Sequence, residues 1–267
     1  MKHLFLFSLV VGVASCAGPK KNIAMTKFAA NPVIAHRGAW KKNSLPENSI
    51  ASLKQAIKIG CTGSEFDIWL TADDSLVINH DPNYNKLPIE KTNYAQLEEF
   101  KLSNGEKLPT LREYLMAGLE NNTQTMLVLE IKPSTINVER GRSVADKVLN
   151  LVKELNATSM VAYISFDYEI LKRILEIDPK ATTQYLKGDI APDQLKRDKM
   201  TGLDYHFSVF KKETTWVEQA KKNKLVLNAW TVNDAAEMNL LLDQNFKYIT
   251  TNEPELLFEI VRNRNGK

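Results

Sequence analysis

From Pro32 onward, short apolar runs alternate with amphipathic stretches. Val33-Ile34-Ala35 reads as a buried strand over 33–36 that ends at His36-Arg37-Gly38. Pro46-Glu47-Asn48-Ser49 then opens a helix whose Ile50, Leu53, Ala56 and Ile57 share one face and which stops near Gly60. A second strand is predicted over 65–70. A hairpin follows, turning at Asp73-Asp74-Ser75 and returning over 76–80. Residues 82–109 lack a clear period apart from a short helix over 94–100. Beyond them, strands over 126–133, 160–166, 182–186, 205–210, 225–231 and 248–250 alternate with helices over 111–119, 138–155, 167–176, 192–197, 213–222, 234–242 and 255–262.

Strands that alternate with helices of this length imply a parallel sheet. Eight strand–helix units favour a closed (β/α)8 TIM barrel in the α/β class over an open doubly wound sheet. No Gly-x-Gly-x-x-Gly fingerprint follows an early strand to argue otherwise. The chain has 267 residues, and such a barrel commonly uses ~250 as one domain. A single domain over 32–267 is therefore expected, with the hairpin and irregular segment inserted after strand two.

The first 31 residues depart from this pattern. Lys2, an apolar run from Leu4 to Val13 and small Ala14-Ser15 before Cys16 form a secretory signal, too short to span a membrane as a helix. Val13-Ala14-Ser15-Cys16 resembles a bacterial lipobox, whose cysteine becomes the lipidated first residue. Ordinary cleavage leaving a free Cys16 is the alternative. Residues 17–31 read as a tether. The expectation is an exported lipoprotein that meets the membrane through its anchor only. Cys61 then has no partner for a disulfide and reads as a small packing residue. Net charge is +3, with basic residues scattered rather than run together, which argues against nucleic acid as a partner.

Candidate chemistry gathers at the carboxyl ends of the predicted strands, which share one open face in such a barrel. His36 ends strand one. Glu65 and Asp67 are two apart and share a strand face. Glu130 and Lys132 repeat that spacing on strand three, and Trp230 ends a later strand. His80 joins them if the hairpin folds over the rim. Glu65, Asp67 and Glu130 offer an oxygen cage for one hard divalent cation, Ca2+ or Mg2+, rather than zinc. Taken alone, Glu-x-Asp would more often pair with basic side chains; the second acidic strand and the two histidines tip the reading towards a cation.

His36 and His80 make a general-base and general-acid pair for a phosphodiester, with Arg37 and Lys132 holding the phosphate. Arg37 also reads as a structural partner of Glu47. Trp230 is either core or the apolar side of a small polyol site. His206 sits in a weak strand without evident partners, and Asn233-Asp234 reads as a helix N-cap region.

These residues resemble the glycerophosphodiester phosphodiesterase family. The matching pieces are His36-Arg37-Gly38, Pro46-Glu47-Asn48-Ser49, Glu65-Phe66-Asp67, Thr71 through His80-Asp81, Glu130-Ile131-Lys132, Trp230-Thr231-Val232-Asn233 and Thr250-Thr251-Asn252-Glu253-Pro254. They recur in order across nearly the whole mature domain. The resemblance implies a (β/α)8 barrel that hydrolyses glycerophosphodiesters to glycerol 3-phosphate and an alcohol. It implies His36 and His80 as acid–base catalysts, Glu65, Asp67 and Glu130 as cation ligands, Arg37 and Lys132 near the phosphate, and Glu47 in support. The segment after the second histidine is shorter than in some members. The family's usual Arg-Thr-Thr is replaced around Tyr84–Leu87, a departure that bears on the alcohol rather than on the chemistry.

A phospholipase that forms a cyclic phosphate shares the barrel and is the nearest rival. A non-catalytic ligand-binding surface lipoprotein is the rival from another class. A sugar isomerase is disfavoured because His-Arg-Gly suits an anion better than a neutral sugar.

Overall fold

The computed structural model describes residues 27–266. Cys16, the expected signal and residues 17–26 of the expected tether lie outside the described residues. The chain begins with β1 (Val33–Ala35), α1 (Ile50–Lys58), β2 (Gly63–Leu70) and β3 (Leu76–Ile78). The inserted segment carries β4 (Asn83–Tyr84), β5 (Leu87–Pro88) and the short α2 (Tyr94–Leu97). Then come α3 (Leu111–Leu119), β6 (Met126–Ile131), α4 (Val138–Glu154), β7 (Val161–Ser165), α5 (Tyr168–Ile177) and β8 (Thr182–Tyr185). The last part holds α6 (Pro192–Arg197), β9 (Gly202–His206), α7 (Phe207–Lys212), α8 (Trp216–Lys222), β10 (Val226–Trp230), α9 (Ala235–Asp243), β11 (Tyr248–Thr251) and α10 (Pro254–Asn265).

Eight strands run parallel in the order β1, β2, β6, β7, β8, β9, β10, β11 and close because β1 pairs with both β2 and β11. This is the expected TIM barrel, with β3 added antiparallel on β2 as the hairpin. Side-chain alternation sorts each strand into two faces. Ile34, Met126, Val128, Ala162, Ile164 and Tyr248 fill the inside of the barrel. Their neighbours Phe66, Leu127, Leu129, Tyr163, Leu203 and Leu227 belong to the larger core that holds the helices. The helices answer with apolar stripes, such as Val144, Val148 and Val152 on α4. Among the described residues Cys61 is buried and unpaired. Among the described residues no helix is long and apolar enough to cross a membrane.

Three expected elements differ. The strand read over 205–210 is β9 ending at His206, followed by a separate helix α7. The strand starts earlier than its apolar run because Gly202 and Asp204 belong to it, aligned with Val226 and Asn228. Phe207 and Phe210 then follow helical spacing, with Phe210 buried. The helix expected over 213–222 begins at Trp216. Pro46-Glu47-Asn48 precedes α1 rather than opening it. Ser49 is the N-cap and accepts from the Ser52 amide at 3.0 Å, while Asn48 takes a left-handed φ of 56°.

The inserted segment is bound to the barrel by two acids. Glu106 accepts from the first amides of α1, Ile50 at 2.9 Å and Ala51 at 3.1 Å. Glu90 accepts from Ser134 Oγ at 2.8 Å, the Thr135 amide at 2.6 Å and Arg140 Nε at 3.0 Å. Arg140 also donates to the carbonyls of Leu70 and Thr71, where β2 ends. Burial pushes the Glu90 carboxyl up, yet its hydrogen bonds to Thr135, Ser134 and Arg140 outweigh that and hold it below the usual range. Under the clamp, Trp69, Val77, Ile89, Leu97 and Leu108 form a small core of their own.

Removing the Glu90 carboxylate leaves Arg140 without its partner. Glu90→Ala is expected to lower unfolding free energy by about 2–4 kcal/mol in urea melts at neutral pH. Because the folded carboxyl titrates below its unfolded value, that difference shrinks as pH falls through the carboxylate range. A loss under about 0.5 kcal/mol would show that the clamp is not needed.

Candidate active site

The first strand delivers its chemistry through a sharp turn. His36 leaves β1 with its amide on the Thr251 carbonyl at 2.9 Å, and Arg37 and Gly38 follow with φ of 57° and 82°. A side chain at Gly38 would strike Ser52, whose Oγ would lie 2.4 Å from an added Cβ, so helix α1 packs directly on this backbone. The turn points the Arg37 amide at Glu65 Oε2, 2.8 Å away. It sets the guanidinium on Glu47, with Nη1 2.9 Å from both oxygens, and Nε 3.7 Å from Asp67 Oδ2. Arg37 is thus Glu47's partner and also lines the barrel mouth.

Strands β2 and β6 supply the acids. Asp67 and Glu130 are directly aligned neighbours, and Glu65 sits one inward position below Asp67. One oxygen from each of Glu65, Asp67 and Glu130 lies within 4.8 Å of the others, and all three groups are buried. Lys132 Nζ stands 2.7 Å from Asp67 Oδ1 and 2.8 Å from Glu130 Oε1. Asn48 Nδ2 donates to Asp67 Oδ2 at 2.8 Å, and the Asp67 amide returns a bond to Asn48 Oδ1 at 3.2 Å.

The electrostatics follow from burying like charges together. Burial, then Asp67 and Glu130, raise the Glu65 carboxyl well above its ordinary range. Burial and Asp67 push Glu130 up to about 8. Asp67 stays below its ordinary value despite burial because Lys132 lies against it. Lys132 is held up at about 12 by Asp67 and Glu130, against the opposing effect of burial.

This donor set fits a hard divalent cation. Three carboxylates converge, and Glu65 Oε1 is buried without any hydrogen-bond partner among the described residues. Two positive side chains only partly offset the acids. Glu65, Asp67 and Glu130 would hold the ion, with Lys132 and Arg37 remaining beside it.

The two histidines face the same cavity of about 240 Å3 at the mouth. His36 Nδ1 lies 2.8 Å from Asn252 Oδ1, and its Nε2 lies 3.9 Å from Glu65 Oε2. Asn252 is held in turn by its amide on Asn233 Oδ1 at 2.9 Å. Burial and the neighbouring Arg37 charge bring His36 down to about 4, so it is neutral at physiological pH. His80 stands just beyond β3, half-exposed, with Nδ1 2.7 Å from Asp81 Oδ1. Trp69 Nε1 donates to the His80 carbonyl at 3.2 Å and ties the hairpin end to β2.

The opposite wall is mostly apolar. Ile164, Phe166, Leu186 and Trp230 line it. Trp230 Nε1 donates to the Asp204 carbonyl at 2.9 Å, and its ring meets Phe166 and His206 edge-on at 5.3 and 5.2 Å between centroids. Trp230 is therefore a rim residue rather than deep core. His206 donates or accepts at Ser208 Oγ, 2.7 Å away, and belongs to this aromatic wall rather than standing alone.

All the expected cavity residues on β1, β2, the hairpin, β6 and β10 therefore converge on one mouth. Sequence reasoning missed Asn48, Asn252 and Asp204. The first two stand inside stretches already singled out, Asn48 next to the assigned Glu47. Asp204 had no motif, and only its place as a lone acid in an apolar run could have marked it.

A (β/α)8 barrel that gathers three buried acids, two imidazoles and two positive side chains at one mouth has the groups that hydrolysis of a phosphate ester needs. The model of the glycerophosphoryl diester phosphodiesterase family matches residues 36–256, and the chain belongs to that family. A glycerophosphodiester phosphodiesterase from Parabacteroides distasonis of known structure is 38% identical, with a TM-score of 0.85 over 89% of this chain and 99% of that one. A glycerophosphodiester phosphodiesterase from Caldanaerobacter subterraneus is 29% identical over 86% of this chain and 97% of its own length. A phosphodiesterase from Oleispira antarctica, solved with the product sn-glycerol-3-phosphate, shares the fold at a TM-score of 0.75 and 23% identity, over 87% and 97% of the two chains.

If the acids hold a divalent cation, binding must stabilise the fold. Saturating Ca2+ or Mg2+ at ~100 times Kd is expected to raise Tm by about 5–10 °C. Glu130→Gln should lose most of that rise. An unchanged Tm with both ions, or a full rise in Glu130→Gln, would contradict the site.

Proposed function

We propose that this family member hydrolyses glycerophosphodiesters to glycerol 3-phosphate and an alcohol. His36 and His80 serve as the acid–base pair, and one Ca2+ or Mg2+ sits on Glu65, Asp67 and Glu130. The observation that carries the reading is the division of the mouth. One side holds the histidines, the acid cluster, Arg37 and Lys132, and the other is mostly apolar, with Trp230 at its rim and Asp204 as its one acid. A phosphate belongs on the first side and the carbon skeleton of a small polyol on the second. The cavity is below the ~300–1,000 Å3 of drug-sized sites, so it takes the glycerol phosphate part and leaves the alcohol towards solvent.

His36 has the attributes of the base. With Asn252 presenting Oδ1, the ring proton sits on Nδ1, and a neutral Nε2 lone pair faces the acids. His80 has its Nδ1 2.7 Å from Asp81 Oδ1, a contact that orients the ring for the acid's role. In the hydrolysis, His36 Nε2 takes a proton from the attacking water as its oxygen bonds to phosphorus. The bond from phosphorus to the leaving oxygen breaks as His80 gives that oxygen a proton. Arg37 and Lys132 offset charge on the phosphate oxygens, and Glu47 keeps the guanidinium in place. Held by Glu65, Asp67 and Glu130, a divalent cation would supply further positive charge to offset that of the phosphate.

Replacing His36 or His80 with Ala is expected to lower kcat on glycerophosphocholine by ~10²-fold or more, with little change in Tm. Phosphorus NMR should show glycerol 3-phosphate as the product. Near-wild-type rates in both variants would contradict the roles given to the histidines, and a lasting cyclic phosphate would contradict simple hydrolysis.

For location, we infer export and lipidation at Cys16, supported by the Lys2-to-Cys16 pattern alone. Intact mass of protein from bacterial membranes should carry a diacylglycerol on Cys16. A mature chain with an unmodified amino end would contradict the anchor.

A further inference from the structure

One buried acid at the mouth takes no part in the chemistry above. Asp204 lies on β9 and is 1% exposed, yet it lines the cavity shared by the catalytic groups. Neither of its carboxyl oxygens has a hydrogen-bond partner among the described residues. It is not part of the acid cluster, which draws only on β2 and β6. No Lys or Arg side chain pairs with it in the described structure. The cavity it lines is shared by apolar Ile164, Phe166, Leu186 and Trp230 and by the charged groups, of which Glu130 acts on it. Leaving a buried carboxyl unpartnered costs about 1–3 kcal/mol, so a structural reason or a ligand is needed.

The position in the fold favours a ligand. Asp204 is aligned with Asn228 on β10, and its own carbonyl anchors the Trp230 indole, so backbone and neighbour are fixed. Burial and then the Glu130 charge raise the carboxyl well above its ordinary range. Its two unpartnered oxygens are hydrogen-bond acceptors at the cavity, which an alcohol hydroxyl would satisfy. In an otherwise apolar wall, that is a fixed point for one polar group on a small carbon skeleton.

We propose that Asp204 is the specificity residue that reads a hydroxyl of the glycerol moiety. This assignment rests on the glycerophosphodiester reading above and adds the group that tells glycerol phosphate from an alkyl phosphate of equal length. The carboxyl accepts a hydrogen bond from the hydroxyl, while Trp230 and Phe166 cover the carbon chain.

Calorimetric binding of glycerol 3-phosphate and of propyl phosphate, which lacks both hydroxyls, tests this directly with the full folded chain in buffer containing Ca2+ and Mg2+. Wild type should prefer glycerol 3-phosphate. Asp204→Leu should erase about 10–100-fold of that preference while leaving propyl phosphate within about threefold. Asp204→Asn, which keeps a donor and an acceptor, should retain most of it. Asp204→Ala serves in the same test if the leucine variant does not fold. An undiminished preference in the truncated variants, or an equal loss for both ligands, would overturn the assignment and leave Asp204 a structural acid. Failure of the underlying reading looks different: wild type itself would turn over no glycerophosphodiester, whatever stands at position 204.

Discussion

Everything at the barrel mouth depends on how three buried carboxylates are kept together. Glu65, Asp67 and Glu130 approach one another on two adjacent strands, away from water. Like charges so placed repel strongly, and the raised Glu65 and Glu130 carboxyls record that repulsion. Lys132 relieves part of it by bridging Asp67 and Glu130, and the Arg37 amide and side chain relieve part more. The left-handed turn at Arg37, the left-handed Asn48 and the close packing of Ser52 on Gly38 all bring donors to this cluster. Strain at these positions is repaid by the hydrogen bonds it permits.

The same cluster divides the mouth. Strands β1, β2 and β6 carry charge, whereas β7 to β10 carry Ile164, Phe166, Leu186 and Trp230, with Asp204 as the one acid among them. A substrate with an anionic end and a short hydroxylated carbon chain matches that division from end to end. The hairpin and inserted segment complete the charged side by bringing His80 over the rim. The Glu90–Arg140 clamp ties that segment to the loop after β6 and to the end of β2. Stability of an otherwise irregular insert is thereby linked to the placement of a proposed catalytic group.

Much of this was legible in the chain. The alternation of apolar strands and amphipathic helices led to the barrel because core burial imposes periods of two and 3.6 on the two kinds of element. The x-spacing in Glu65-Phe66-Asp67 and Glu130-Ile131-Lys132 led to the acid cluster because that period aims both side chains inward. The strand at β9 was misplaced for the complementary reason. Asp204 interrupts its apolar run, and Phe207 and Phe210 extend the apolar signal into a helix. Contacts between residues far apart in sequence left no local trace. Asn252 on His36, Glu106 on α1 and Glu90 on Arg140 are set by closure of the barrel, not by neighbours in the chain.

The central claim is that the acid cluster is completed by one divalent cation, and anomalous diffraction from crystals soaked in Mn2+ tests it most directly. The account predicts a single strong peak contacted by oxygens of Glu65, Asp67 and Glu130. A map without a peak there, or with manganese bound only elsewhere while Lys132 alone bridges the carboxylates, would contradict it.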